Sequence, residues 1–109
     1  MTSMTWEGTF GSLAALQESS QPAPPYVVLL DGDVLAEELI GILDQHAPLL
    51  SINSLILLVT KPPVRLAVTA MQRGVLDVLL KPVTTQRLGA ALKDAAIQCE
   101  RRRLEQRIA

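Results

Sequence analysis

The sequence predicts an α/β domain in which a parallel sheet is sandwiched by helices. Three short apolar runs alternate with stretches of helical periodicity, and they span Tyr26 to Leu30, Leu55 to Val59 and Val75 to Leu80. Near-continuous apolar runs are typical of strands buried on both faces, as in parallel sheets. The segments between them are too long for hairpins, so we expect right-handed crossover connections through helices.

Composition indicates one globular domain and excludes several classes of protein. The chain has 109 residues, of which 49% are hydrophobic, and a net charge of -1, which suits a single core and gives the body of the domain no reason to bind nucleic acid or a membrane surface. No apolar run approaches the roughly 20 residues of a membrane span, and the first residues lack a signal-peptide pattern. The one cysteine, Cys99, has no partner for an internal disulfide, so we expect a cytoplasmic protein.

The first 25 residues are predicted to form a partial strand and helix followed by a loop. Thr5 to Phe10 is a candidate strand, and Ser12 to Glu18 is a short helix with Ser12 as its N-cap. The segment from Ser19 to Pro25 contains three prolines, which cannot continue a helix because they lack an amide donor. We therefore assign 1–25 as an N-terminal region separate from the core.

Two helices are predicted between the three strands. The first runs from about Leu35 to His46, with Pro48 just after its end. Its apolar positions at helical spacing are Leu35, Leu39, Ile42 and Leu43. The second begins at Pro63 and ends at a Gly74 cap. One face of this second helix is marked by Val64, Ala67, Val68 and Met71.

The last helix is predicted to be longer than the strands on which it packs. From Thr85 to Ala109 it would span about 37 Å, whereas a strand of five or six residues covers only about 17–20 Å. A first apolar stripe, for packing on the sheet, contains Leu88, Leu92, Ala95 and Cys99. A second stripe contains Ile97, Leu104 and Ile108, and it predicts a homodimer through this helix. The charged run Glu100 to Arg103 is interpreted as a solvated helix face.

Each predicted strand ends in a polar side chain, and these side chains are Asp31, Thr60 and Lys81. Because the carboxyl ends of parallel strands share one edge of a sheet, we expect the three groups to converge there. A carboxylate, a hydroxyl and an ammonium are what phosphorylation of an aspartate requires. The alternative is that Asp31 and Asp33, on either side of Gly32, only form a turn and a helix cap.

The segment Ala67 to Val83, AVTAMQRGVLDVLLKPV, resembles the fourth helix, fifth strand and Lys-Pro loop of the receiver domain of bacterial response regulators. The resemblance implies a flavodoxin-like (CheY-like) fold, with a receiver-like core over 26–99 and a helical extension over 100–109. It implies that Asp31 is the phosphoacceptor, Thr60 the switch hydroxyl and Lys81 the phosphate-binding lysine. It also implies a cis bond between Lys81 and Pro82.

The same resemblance implies partners and a cofactor. A sensor histidine kinase or a phosphotransfer protein would supply the phosphoryl group, and Mg²⁺ would be held at Asp31 and Asp33. The family's first strand and helix, with their pair of acidic residues, have no counterpart upstream of Asp31. We therefore expect an N-terminally truncated receiver or a degenerate pseudo-receiver, a signalling module of a two-component phosphorelay rather than an enzyme.

Two further resemblances give alternatives. The segment Val27 to Asp33, VVLLDGD, resembles the first motif of the haloacid dehalogenase superfamily of phosphatases, which would make Asp31 the nucleophile and Asp33 the general acid. That superfamily's later acidic motif has no match after Lys81, so sustained phosphatase activity is not expected. The segment Arg101 to Ala109 is similar to the helical connection of antiterminator regulators, whose pseudo-receivers precede an RNA-binding domain.

Overall fold

A three-stranded parallel sheet with helices on both faces makes up the described part of the chain, so the predicted α/β class is confirmed. The computed structural model describes residues 26–62 and 64–108, and the strand, helix and loop predicted for 1–25 lie outside them. The elements are β1 (Val27–Asp31), α1 (Gly32–Leu35), a 3₁₀ turn (Ala36–Glu38), α2 (Leu39–Gln45), α3 (Ala47–Ile52), β2 (Ser54–Val59), α4 (Val64–Gln72), β3 (Asp77–Leu80) and α5 (Thr85–Ile108).

Strand β2 is the centre of the sheet, with β1 and β3 on either side. Both pairings are parallel, and the register joins Leu30 to Leu57 and Leu57 to Val78. Successive side chains of a strand point to opposite faces of the sheet, so β2 contributes to two cores. One core lies against α2, α3 and α4, and the other lies against α5.

The two cores divide the apolar residues according to strand parity. The first contains Leu39, Leu43, Leu50, Leu55, Leu57, Val59, Ala70 and Val75. The second contains Ile56, Leu79, Ala91 and Ala95. The predicted first stripe of α5 is confirmed, because Ala95 and Cys99 are buried while Leu88 and Leu92 pack on the second core.

The connection between β1 and β2 is helical for longer than predicted. The expected single helix is divided into α1, the 3₁₀ turn and α2, and α3 follows directly after His46. Pro48 lies within the first turn of α3 instead of after a helix end. The first turn of a helix has no intrahelical partners for its N–H groups, so a proline there removes no hydrogen bond. The Leu35 side chain lies outside the described part.

Helix α4 presents its predicted apolar face to solvent. Val64 is 83% exposed, and Val68 and Met71 are each 52% exposed. The helix packs on the first core through Ala70, with Leu66 beside it. Its C-terminal cap is as predicted, because Gly74 has a φ of 106° and the N–H of Val75 donates to the Ala70 carbonyl.

The amino edge of the sheet holds a largely buried polar cluster, the amino-edge cluster. It is made of the buried residues Asn53, Ser54 and Cys99 and the partly buried residues Tyr26 and Arg102. The Oδ1 atom of Asn53 accepts the Tyr26 N–H at 2.7 Å, and the Cys99 thiol donates to the Tyr26 carbonyl at 3.3 Å. Among the described residues, no buried side-chain nitrogen or oxygen lacks a hydrogen-bond partner. The cluster therefore saturates the polar groups that this edge buries.

Arg102 corrects the interpretation of the charged run as a solvated face. Its Nη1 atom donates to the carbonyl of Leu50 at 3.1 Å and also to the carbonyl of Asn53. Carbonyls at the end of a helix lack intrahelical partners, so the guanidinium caps the end of α3. This contact joins α5 to the rest of the domain. Neighbouring Arg103 fits the prediction, because it is exposed and only pairs with Glu100.

The second stripe of α5 is exposed where it is described. Ile97 is 53% exposed and Leu104 is 50% exposed, while the Ile108 side chain lies outside the described part. Over the described residues, none of the helices combines the length and the apolar character that crossing a membrane requires.

Candidate functional site

The three predicted groups meet at the carboxyl edge of the sheet. Asp31 is the last residue of β1, Thr60 directly follows β2, and Lys81 directly follows β3. Asp33, in the first turn of α1, reaches the same place. We call Asp31, Asp33, Thr60 and Lys81 the carboxyl-edge cluster. Their convergence follows from parallel pairing, which aligns the ends of all three strands.

Lys81 lies between the two carboxylates. Its Nζ atom is 2.9 Å from the Oδ1 atom of Asp31 and 3.1 Å from the Oδ2 atom of Asp33. These contacts, first that with Asp31 and then that with Asp33, raise the pKa of the Lys81 ammonium above its usual value. The backbone N–H of Lys81 donates to the Val59 carbonyl at 2.7 Å, and the Lys81-Pro82 bond is cis, as the resemblance implies.

Thr60 is bound to Asp33. Its hydroxyl donates to the Oδ2 atom of Asp33 at 2.6 Å, and its backbone N–H donates to the Oδ1 atom at 3.0 Å. These two hydrogen bonds, helped by Lys81, lower the pKa of the Asp33 carboxyl to about 2. Sequence reasoning missed this pairing. The signal was the position of Asp33 two residues after a strand end, which sets its side chain beside the neighbouring strand.

Asp31 also caps helix α1. Its Oδ1 atom accepts the backbone N–H of Asp33 at 3.0 Å, which is the geometry of an N-cap side chain. The cap that the alternative interpretation predicted is therefore present, but capping is not the sole role of the two aspartates, because both also contact Lys81. One carboxylate oxygen of Asp31 thus serves both the local fold and the cluster.

Gly32 is a further residue of the site that the sequence did not single out. A Cβ atom at this buried position would lie 2.5 Å from Cγ1 of Val59 and 3.0 Å from Cδ1 of Leu57. The backbone between the two aspartates therefore passes directly over β2, and only glycine fits. This close approach brings Asp33 within reach of Thr60.

The predicted Mg²⁺ site would draw on Asp31 and Asp33. Mg²⁺ often keeps several waters and binds one or two carboxylates together with phosphate oxygens, so the number of carboxylates here matches what Mg²⁺ binds. Both Asp33 oxygens already accept hydrogen bonds from Thr60, and Lys81 contacts both carboxylates. A cation at this pair would compete with those donors. Among the residues of 26–62 and 64–108, no three His, Cys, Asp or Glu side chains cluster as a metal site.

A shallow groove of about 430 Å³ borders the cluster at Thr60. Its walls include the exposed apolar side chains Val64, Val68 and Leu80, and Lys61 also lines it. Chemistry at a developing charge requires several convergent polar groups, and the carboxyl-edge cluster supplies these while the groove supplies mainly carbon. We therefore identify the cluster as the candidate functional site.

Comparisons with protein families, with curated proteins and with solved structures found no match to this chain. The carboxyl-edge cluster and the sequence motifs are therefore the features of this chain that bear on its function.

Proposed function

We propose that this chain is a receiver-like signalling module that accepts a phosphoryl group on Asp31. One observation carries the proposal, namely the 2.9 Å contact between the Lys81 ammonium and the Asp31 carboxylate at the edge where Thr60 also lies. A strand-end carboxylate next to a fixed cation and a hydroxyl suits an aspartyl phosphoacceptor. In this proposal the fold is flavodoxin-like, and the phosphoryl donor is a sensor histidine kinase or a phosphotransfer protein in the cytoplasm.

The chemistry is a phosphoryl transfer between two oxygen atoms. A carboxylate oxygen of Asp31 attacks the phosphorus of the donor, the bond from phosphorus to the leaving group breaks, and the leaving group keeps the electron pair. With acetyl phosphate as donor, acetate leaves and Asp31 becomes an acyl phosphate. Lys81 stabilises negative charge on the phosphoryl oxygens, and the Thr60 hydroxyl donates to one of them. Mg²⁺ stays a prediction, and when bound it would neutralise part of the phosphoryl charge.

The phosphatase alternative is less well supported. There Asp33 would protonate the leaving group, and a general acid works best with a pKa near the operating pH. The pKa of Asp33 is instead lowered to about 2 by the two Thr60 hydrogen bonds, so this carboxyl is ionised near neutral pH. As a degenerate pseudo-receiver of the antiterminator type, the module would keep the fold and signal without transfer to Asp31.

Labelling with acetyl phosphate and Mg²⁺ tests the proposal. We expect intact mass spectrometry to show one phosphoryl group on the wild-type chain, and none on Asp31→Asn. Asp44→Asn is the matched control, because it removes the same charge from an exposed carboxylate that pairs with Arg73 instead. A label that persists in Asp31→Asn rejects the assignment. An unlabelled wild type favours the pseudo-receiver, and turnover of a phosphomonoester that Asp33→Asn abolishes favours the phosphatase.

We further propose that a second copy of the chain packs on the exposed stripe of α5. Ile97 and Leu104 are seven residues apart, which is the spacing of equivalent positions in a coiled coil, and both are about half exposed. We expect light scattering at micromolar concentration to show a dimer that Leu104→Glu shifts toward monomer. Met71→Glu, on the exposed face of α4, is the control. A dimer that only the control disrupts would move the interface to α4.

A further inference from the structure

Asp33 occupies the donors that an incoming phosphoryl group requires. The Thr60 hydroxyl, the Thr60 backbone N–H and the Lys81 ammonium all contact its carboxylate, at 2.6, 3.0 and 3.1 Å. These donors converge from two different strand ends on a single planar anion. An oxyanion carried by Asp31 would find the same donors, because Lys81 already bridges the two carboxylates.

We propose that Asp33 is a positioning residue that acts as an internal ligand of the site, filling the phosphoryl-binding donors and restraining phosphorylation of Asp31. The inference rests on the proposed function. In the unmodified protein, the Asp33 carboxylate holds the Thr60 hydroxyl turned toward the cluster. Phosphorylation of Asp31 then requires Thr60 and Lys81 to release the Asp33 carboxylate and to bind the phosphoryl group instead.

Electrostatics gives the restraint a physical basis. Asp31 and Asp33 are two negative charges that share one ammonium, and a dianionic donor must approach both of them. The side chains of Asp31, Asp33 and Lys81 are 47, 39 and 33% exposed, so water screens these interactions without abolishing them. The effect of removing one charge is therefore expected to be moderate. Exposed ion pairs are typically weak, so the expected change in rate is a factor of about five.

The first test compares labelling rates with acetyl phosphate and Mg²⁺. We expect Asp33→Ala to label about fivefold faster than wild type, and Asp33→Asn to be intermediate, since its amide oxygen still accepts from Thr60 but carries no charge. Asp44→Ala removes one charge outside the cluster and should leave the rate unchanged. Slower labelling of both Asp33 variants overturns the inference and makes Asp33 a metal ligand, and an unchanged rate overturns it too.

The second test does not depend on phosphorylation. In wild type, the Thr60 amide donates to Asp33, so its hydrogen exchange should be slowed. We expect exchange of that amide, followed by NMR, to be about fivefold faster in Asp33→Ala and unchanged in Asp44→Ala. Thermal melts of each variant check that the fold is retained.

The two tests separate failure of the inference from failure of the proposed function. Faster Thr60 exchange in Asp33→Ala, with no label on any variant, rejects the phosphoacceptor function and still supports Asp33 as the internal ligand. Unchanged Thr60 exchange rejects the internal ligand even where Asp31 is labelled. Faster exchange together with faster labelling supports both.

Discussion

The two edges of the sheet handle polar groups in opposite ways. At the amino edge, Asn53 and Ser54 are each 1% exposed, and their bonds are to backbone groups and to neighbouring buried side chains. At the carboxyl edge, Asp31 and Asp33 are 47 and 39% exposed, and they bond mainly to groups that can change partners.

This difference distinguishes polar residues that stabilise the fold from polar residues that are available for a reaction. A buried polar group without a partner costs about 1–3 kcal/mol, so the amino edge must be saturated for the domain to fold. Water screens exposed ion pairs, which typically contribute little to stability, so the groups at the carboxyl edge can change partners without unfolding the domain. Substitutions at the amino edge should therefore change stability, and substitutions at the carboxyl edge should change reactivity.

The largest expected effect is that of Lys81→Met on labelling. Removing a charged donor from a developing phosphoryl charge typically costs about 10²–10³ in rate, so labelling of Asp31 should fall by about a hundredfold or more. The free energy of unfolding in urea should change little, because the Lys81 side chain is 33% exposed and water screens its ion pairs. Lys93→Met, on the solvent side of α5, removes the same charge and should leave both the labelling rate and the free energy of unfolding unchanged. An equal loss of stability and labelling would contradict the division between the edges.

Gly32→Ala should have the next largest effect, on stability. The new methyl group would lie 2.5 Å from Val59, and overpacking of this kind costs about 1–3 kcal/mol in free energy of unfolding. Gly41→Ala is the control, since nothing lies within 4 Å of its added Cβ and the change favours helix α2 by about 0.5–1 kcal/mol. Urea denaturation of both variants measures the contrast. A neutral Gly32→Ala would mean that the loop relaxes away from β2.

Asn53→Ala tests the amino edge. The substitution removes the acceptor of the Tyr26 N–H, and we expect a loss of about 1–2 kcal/mol in free energy of unfolding. Labelling of Asp31 by acetyl phosphate should be unchanged. Ser51→Ala, whose hydroxyl is exposed and bonds to the Pro48 carbonyl, should stay within about 0.5 kcal/mol of wild type. Altered labelling in Asn53→Ala would show that the two edges are coupled.

The smallest expected effect is the acid titration of Asp33. Its pKa is lowered from 3.8 to about 2 in the folded protein, so its contribution to stability is present above 3.8 and is lost as the pH falls through about 2. The Thr60 amide resonance, followed by NMR, should move with a midpoint near 2 and not near 3.8. The Lys81 ammonium contacts the Asp33 carboxylate and is shared with Asp31. Asp33→Asn should abolish this step, and a midpoint near 3.8 would contradict the hydrogen bonds from Thr60.

Some features of the fold were predictable because they depend on local pattern. The apolar run at Leu55 indicated a buried strand, since strands between two helical layers are apolar on both faces. The same prediction was wrong for the run at Val78, because this strand is only half-buried and Leu80 is 61% exposed. The Gly74 cap was predictable because a left-handed backbone there favours glycine. The buried face of α4 was not predictable, because apolar residues lie all around this short helix. Only packing decided that Ala70 is buried and that Val68 is exposed.

By itself, the sequence determined the α/β class, the regions of the three strands and the convergence of Asp31, Thr60 and Lys81, because these follow from residue periodicity and from the geometry of parallel sheets. Only the tertiary structure decided that Thr60 binds Asp33 and that Arg102 caps α3. The two residues of the first contact are 27 positions apart in the chain, and those of the second are 52 positions apart. Whether such residues meet depends on how neighbouring elements are placed to within less than an ångström. No spacing rule along a single chain carries that information.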